Sequence, residues 1–226
     1  MASYAGGASI DRAIASEHGW LADGVVPEDG PTFARRLDRL LTQFRPEVTA
    51  VQYNLVGSHD TPRILSVLGG DVDALRLATL IQATVPGAPA VYYGDEIGMT
   101  GSIDPHARAA FPWSRPDTWD ESIRGFMRDA FRLRHAEPVL RHGSFRVVGA
   151  QGPVVAWLRV LGDRVALVAC NNGADAESIR IDPPELRGRS LVPAPLPGRD
   201  VASIPSVPSD GLELVVPPRT GVVLLG

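Results

Sequence analysis

The sequence predicts two fold classes in one chain: an α/β segment built on parallel strands, followed by an all-β segment of antiparallel strands. Three observations predict this. Strand-like apolar runs at residues 48–55 and 88–93 flank a helical run at 71–85, and roughly thirty residues separate the two, as in a parallel crossover. Both runs stop abruptly in polar residues, Gly57-Ser58-His59-Asp60 and Gly94-Asp95-Glu96. From about Arg141 onward helical spacing disappears and short alternating strands take over, which divides the chain into residues 1–140 and 141–226.

Composition sets the outer limits. A hydrophobic fraction of 44% with 21% charged residues is that of an ordinary globular protein, so wholesale disorder is excluded. Against 26 acidic residues stand 22 basic ones, all arginine, for a net charge of -4 with no basic stripe. No nucleic-acid partner is expected. Cys170 is the single cysteine, which rules out an internal disulfide framework and a cysteine-built metal site. No apolar stretch reaches the length of a membrane span, and residues 1–20 lack a leader pattern, so a cytoplasmic protein with no membrane partner is expected.

Along the chain, residues 1–30 show only a weak helix around Ile10, Ala13, Ile14 and Trp20. Residues 32–44 are better patterned: Phe33, Leu37, Leu40, Leu41 and Phe44 form one apolar stripe beneath Arg35, Arg36, Asp38 and Arg39. The strand at 48–55 follows, then a helix at 71–85 with Asp71 or Asp73 at its start and Pro86-Gly87 at its end. After the second strand, residues 98–120 form a long loop rich in Gly, Pro, Asp, Arg and Trp. A third helix spans 121–137, with Pro138 ending it. Strands are then predicted at 144–149, 154–160, 164–171, 177–181, 212–216 and 221–225. Gly162-Asp163 and Asn172-Gly173 are hairpin-type signals, and residues 183–218 read as a long proline-rich connection.

The chemistry-bearing residues lie at the two strand ends. A glycine-serine turn lets the adjacent His59 and Asp60 reach one cavity, although Asp60 could equally cap its own turn with His59 on the surface. Asp95-Glu96 closes the second strand in the same way. Carboxylates and a histidine suit acid/base work, while Glu96 could instead accept hydrogen bonds from neighbouring strand-end groups. Nothing resembles a metal-binding motif, so neither a metal nor a cofactor is expected. Tyr92, Tyr93, Phe111, Trp113 and Trp119 suit stacking on sugar rings, or plain loop packing.

NLVGSHDTPR, GAPAVYYGDEIGMTG, DPHAR and FPW, in that order, resemble the α-amylase family of glycoside hydrolases, in its neopullulanase, cyclomaltodextrinase and maltogenic amylase branch. The likeness runs from about Phe33 to Leu140. It implies strands seven and eight of a (β/α)8 TIM barrel, followed by an antiparallel β-sandwich domain. By this resemblance Asp60 is the carboxylate supporting the transition state and His59 grips the same sugar. Asp104 and Arg108 help to hold substrate, while Gly94 and Glu96 are structural residues at the strand end. Ala110 departs from the proline of many relatives. The family's nucleophile and acid/base motifs do not occur in this sequence.

The resulting expectation is the C-terminal portion of an enzyme acting on α-linked glucooligosaccharides or cyclodextrins, inactive alone and partnered by the missing N-terminal half of its barrel. The rival is a non-catalytic carbohydrate-binding or partner-binding protein. A doubly wound hydrolase or phosphatase is disfavoured, because neither a GxSxG elbow nor a P-loop is present.

Overall fold

The computed structural model describes residues 28–102, 105–196, 202, 204 and 206–226. The weak helix expected around Ile10 and Ile14 lies outside the described residues.

Helix α1, Gly30–Thr42, starts where the Asp29 carboxylate accepts the Thr32 N–H at 2.8 Å, with Pro31 in the first turn. Phe33, Leu37 and Leu41 are buried as the stripe predicts, but Leu40 and Phe44 stay about half exposed. The strand expected over 48–55 is divided: α2 takes Pro46–Val51 and β1 only Tyr53–Leu55. Pro46 is pre-set for a helical first turn, and Thr49 Oγ1 donates to Leu41 O at 3.1 Å, tying that turn to α1. A longer strand would also need ladder partners, and among the described residues β1 pairs only with β2.

A short helix, α3, Ile64–Val67, leads to α4, Val72–Thr84, capped by Asp71, whose carboxylate accepts the Ala74 N–H at 2.9 Å. Apolar on nearly every face, α4 is buried from Ala74 to Thr84 apart from Arg76. Strand β2, Ala88–Ala90, is shorter than the predicted 88–93 and runs parallel to β1 with Tyr53 opposite Ala88. The buried Gln82 side chain of α4 donates to Asn54 O at 2.5 Å and Ala90 O at 2.7 Å, locking both strands to the helix. Helix α5, Glu121–Ala136, is capped by Asp120, and Pro138, expected only to end a helix, also opens α6, Pro138–His142.

Seven further strands follow: β3 Ser144–Gln151, β4 Val154–Leu161, β5 Arg164–Asn171, β6 Glu177–Ile181, β7 Val192–Pro193, β8 Leu212–Val216 and β9 Thr220–Leu225. They form a five-stranded sheet in the order β3-β4-β5-β9-β7 and a two-stranded sheet, β6-β8. Every pairing in both is antiparallel. Gly162-Asp163 is the β4–β5 hairpin turn as expected. Asn172-Gly173, however, carries the chain from one sheet to the other, because β5 pairs with β4 and β9 and never with β6.

The inner strands of the five-stranded sheet, β4, β5 and β9, are buried on both faces. Val155, Trp157, Ala166, Val168, Cys170 and Val223 pack with Leu75, Leu77 and Leu80 of α4 in the helical core. The alternate residues, including Val154, Ala156, Leu158, Leu167 and Ala169, face Ile179, Ile181, Leu212 and Leu214 of the two-stranded sheet. Double burial explains why β4 and β5 read as continuous apolar runs rather than alternating ones. Among the described residues there is no closed barrel, and no helix is long and apolar enough to cross a membrane.

Candidate functional site

The parallel strands β1 and β2 deliver their C-terminal ends side by side, and the loops that follow are stitched together there. After β1, Ser58 and Thr61 close a turn: Ser58 N–H donates to Thr61 Oγ1 at 3.0 Å, and Asp60 N–H to Ser58 Oγ at 3.2 Å. This turn projects His59 and Asp60 into solvent, their side chains 63% and 70% exposed. His59 Nε2 stands 3.3 Å from Asp60 Oδ1, and Arg108 Nη2 stands 3.5 Å from the same oxygen. Arg108 Nε also donates to His59 O at 3.1 Å. Three of the six sequence-predicted site residues thus meet at one carboxylate oxygen, and Asp104 lies outside the described residues.

Gly94 and Glu96 sit where the second strand end was expected to be built. Gly94 has φ of +88°, and its N–H donates to the Glu96 carboxylate at 2.6 Å. A Cβ there would lie 2.3 Å from Met99 Sδ and 3.0 Å from Arg63 Nη1, so both conformation and space require glycine. Among the described residues no group of His, Cys, Asp or Glu is arranged to hold a metal ion.

Arg63 was not singled out from the sequence, and Asp95 was named there only as closing the second strand together with Glu96. Arg63, just after the His59-Asp60 turn, is fully buried, and its Nη1 donates to Tyr93 O and to Asp95 Oδ1, the latter at 3.2 Å. Its guanidinium carbon lies 4.5 Å from the Tyr92 ring centre and 4.7 Å from that of Tyr93, a cation–π arrangement on both rings. Asp95, not the neighbouring Glu96, is therefore the buried carboxylate that ties the two strand ends together. Burial pushes its carboxyl up to about 6, outweighing the hydrogen bond and charge of Arg63 that pull it down. Its second oxygen, Oδ2, has no hydrogen-bond partner among the described residues and lies where a Gly57 side chain would begin. The available signal was Arg63 itself, set between Pro62 and the apolar Ile64 and Leu65.

The loop after β2 returns to the same place. Arg63 N–H donates to Gly101 O at 2.8 Å, Gly101 N–H to Ser66 Oγ at 2.9 Å, and Tyr93 Oη to Ala109 O at 2.9 Å. Phe111, Trp113 and Trp119 pack on one another, with ring centres 4.3 Å apart for Phe111 and Trp113 and 5.4 Å for Phe111 and Trp119. Trp113 nevertheless remains 76% exposed. An exposed carboxylate flanked by imidazole and guanidinium, with an aromatic platform in the following loop, can bind a polyhydroxylated ligand and stabilise developing positive charge.

Comparison with known proteins agrees with the motifs. The model of the alpha amylase catalytic domain matches residues 17–141, more than half of the chain. A cyclomaltodextrinase of Geobacillus thermopakistaniensis is 36% identical over 162 residues, covering 71% of this chain and 27% of the relative. Neopullulanase 2 of Thermoactinomyces vulgaris is 34% identical over 201 residues, covering 86% and 33%. Among solved structures, the native debranching enzyme of Nostoc punctiforme superposes with a TM-score of 0.81 at 28% identity, over 99% of this chain and 45% of that one. The chain spans about a quarter to a third of the length of these two curated relatives. With strand-end motifs, fold and family match in agreement, the chain belongs to the α-amylase family.

Proposed function

We propose that this chain is the C-terminal part of a retaining glycoside hydrolase acting on α-linked glucooligosaccharides or cyclodextrins. In this reading β1 and β2 are the seventh and eighth strands of a (β/α)8 barrel, and the two antiparallel sheets from residue 141 onward are a β-sandwich domain. The observation that carries it is the meeting of His59, Asp60 and Arg108 at the C-terminal end of a parallel strand, where barrel enzymes hold their chemistry. The cyclomaltodextrinase and neopullulanase among the relatives favour α-glucan substrates.

Asp60 supports the oxocarbenium-like transition state and grips hydroxyls of the cleaved sugar. His59 donates to the same sugar, and Arg108 fixes the turn that presents both. Asp104 joins Arg108 in holding substrate, while Gly94 and Glu96 build the strand end. Retaining cleavage also needs a nucleophile and an acid/base carboxylate about 5 to 5.5 Å apart, and Asp60 cannot be both. Those groups belong to the remaining barrel strands, so this chain alone does not turn over.

Exposure of the parallel unit supports a missing partner. Val51 at the end of α2 is 75% exposed, and Tyr53 and Leu55 of β1 are 72% and 51%, beside a parallel sheet that has two strands among the described residues. The test assays the purified chain on cyclodextrin, pullulan and starch. No hydrolysis is expected, and turnover abolished by Asp60→Asn would overturn the assignment of the missing carboxylates. Saturable maltooligosaccharide binding by a monodisperse chain, without hydrolysis, would favour a binding protein instead.

A further inference from the structure

At the opposite end of β1 and β2 from Asp60, a cavity of about 600 Å³ opens between α1, α2 and the start of β3. Leu41, Phe44, Pro46 and Phe145 make its walls apolar, while Arg141 and Arg159 supply charge. Among the described residues no Asp or Glu lines it.

Arg159 is fully buried. Its Nη1 donates to Thr84 O at 2.6 Å and Leu140 O at 2.7 Å, its Nη2 to Gly143 O at 2.8 Å and its Nε to Ser144 O at 3.0 Å. Arg134 stands beside it and donates to Ala83 O, Val85 O, Leu140 O and Gly87 O. Both guanidiniums therefore meet at Leu140 O, and every partner is a neutral carbonyl. The C-terminal end of α4 offers them only about half a negative charge. Arg141 adds a third cation, and its Nε is buried with no hydrogen-bond partner among the described residues. Burial pushes Arg134 down to about 10 and Arg159 to about 9, and the positive charge of Arg141 and of Arg134, respectively, pushes each the same way. Positive charge gathered in an apolar recess, with no carboxylate beside it among the described residues, is the arrangement that takes up an anion.

We propose that this cavity binds a small organic oxyanion, its phosphate or carboxylate head held by the partly exposed Arg141 guanidinium with the buried charge of Arg159 behind it, and its apolar body against Leu41, Phe44 and Phe145. The site is separate from the strand-end chemistry and does not depend on the function proposed above.

Equilibrium dialysis of the 226-residue chain against phenyl phosphate, benzoate and inorganic phosphate at fixed ionic strength tests it, since dialysis reads binding whatever the association state. Saturable binding of phenyl phosphate or benzoate is expected, with inorganic phosphate weaker because it lacks the apolar body; which organic probe binds tighter identifies the head. Arg141→Gln should weaken binding roughly tenfold or more, the equivalent of one lost hydrogen bond to a charged group. Phe44→Asp, at a half-exposed position, places a negative charge at the mouth and should abolish binding, with circular dichroism checking that the variant is folded. Absence of saturable binding, or equal binding by either folded variant, overturns the proposal.

Discussion

Replacing Asp95 by asparagine should change the pH dependence of stability in a direction that the buried pair with Arg63 determines. Asp95 is 1% exposed and Arg63 fully buried, so solvent screens neither. With its carboxyl raised from the usual 3.8 to about 6, the folded protein keeps a proton that the unfolded chain releases, a preference worth about 3 kcal/mol. A raised folded value stabilises fully below 3.8, and that contribution is lost as pH rises through about 6. Asparagine cannot titrate. Urea unfolding of both proteins, followed by circular dichroism at steps across this window, should therefore show the variant gaining about 3 kcal/mol relative to wild type. The constant offset from altered bonding to Arg63 does not affect that slope. A flat difference, or a wild type that gains on the variant as pH rises, would refute the argument, because the attraction of Arg63 would then outweigh the burial of Asp95.

Other perturbations bear on neighbouring parts of the structure. Gly94→Ala should destabilise the chain by about 1–3 kcal/mol in the same unfolding assay, since its φ of +88° is costly for an L side chain and its Cβ would strike Met99. Asp120→Ala removes the carboxylate that accepts Ser122 and Ile123 N–H at 2.9 and 3.0 Å, and about 1 kcal/mol should be lost; Asp120→Asn should restore most of it. Val51→Lys in α2 with Tyr53→Lys in β1 charges the exposed apolar surface of the parallel unit, and sedimentation velocity should show less concentration-dependent self-association than for the unmodified chain.

Sequence legibility followed how local each interaction is. Asp71, one of the two starts read for its helix, is legible because an N-cap bonds to backbone two or three residues on; the helix from Glu121 begins as expected, and its Asp120 cap came from the structure. The β4 and β5 runs were legible because burial on both faces leaves no polar alternation to misread. His59, Asp60 and Arg108 were named from motif order, and the structure places His59 and Arg108 within 3.5 Å of Asp60 Oδ1. By contrast, the apolar run at 48–51 carries no mark of its conformation: valine and alanine serve strand or helix, and Pro46 with the Thr49 bond to Leu41 selects the helical turn. Asn172-Gly173 looks like a hairpin for the same reason, since a turn signal states that the chain reverses and not which strand it will pair with.

The sequence by itself determined the succession of parallel crossover and antiparallel strands, the helix start at Asp71 or Asp73 and the polar strand ends, all set by neighbours within a few residues. Only the tertiary structure decided that Asp95 rather than Glu96 is the buried partner of Arg63, and that Arg134, Arg141 and Arg159 crowd together behind the strands. Those pairings join residues 32 and 25 positions apart, or fewer, through burial and charge, and a linear pattern carries neither quantity.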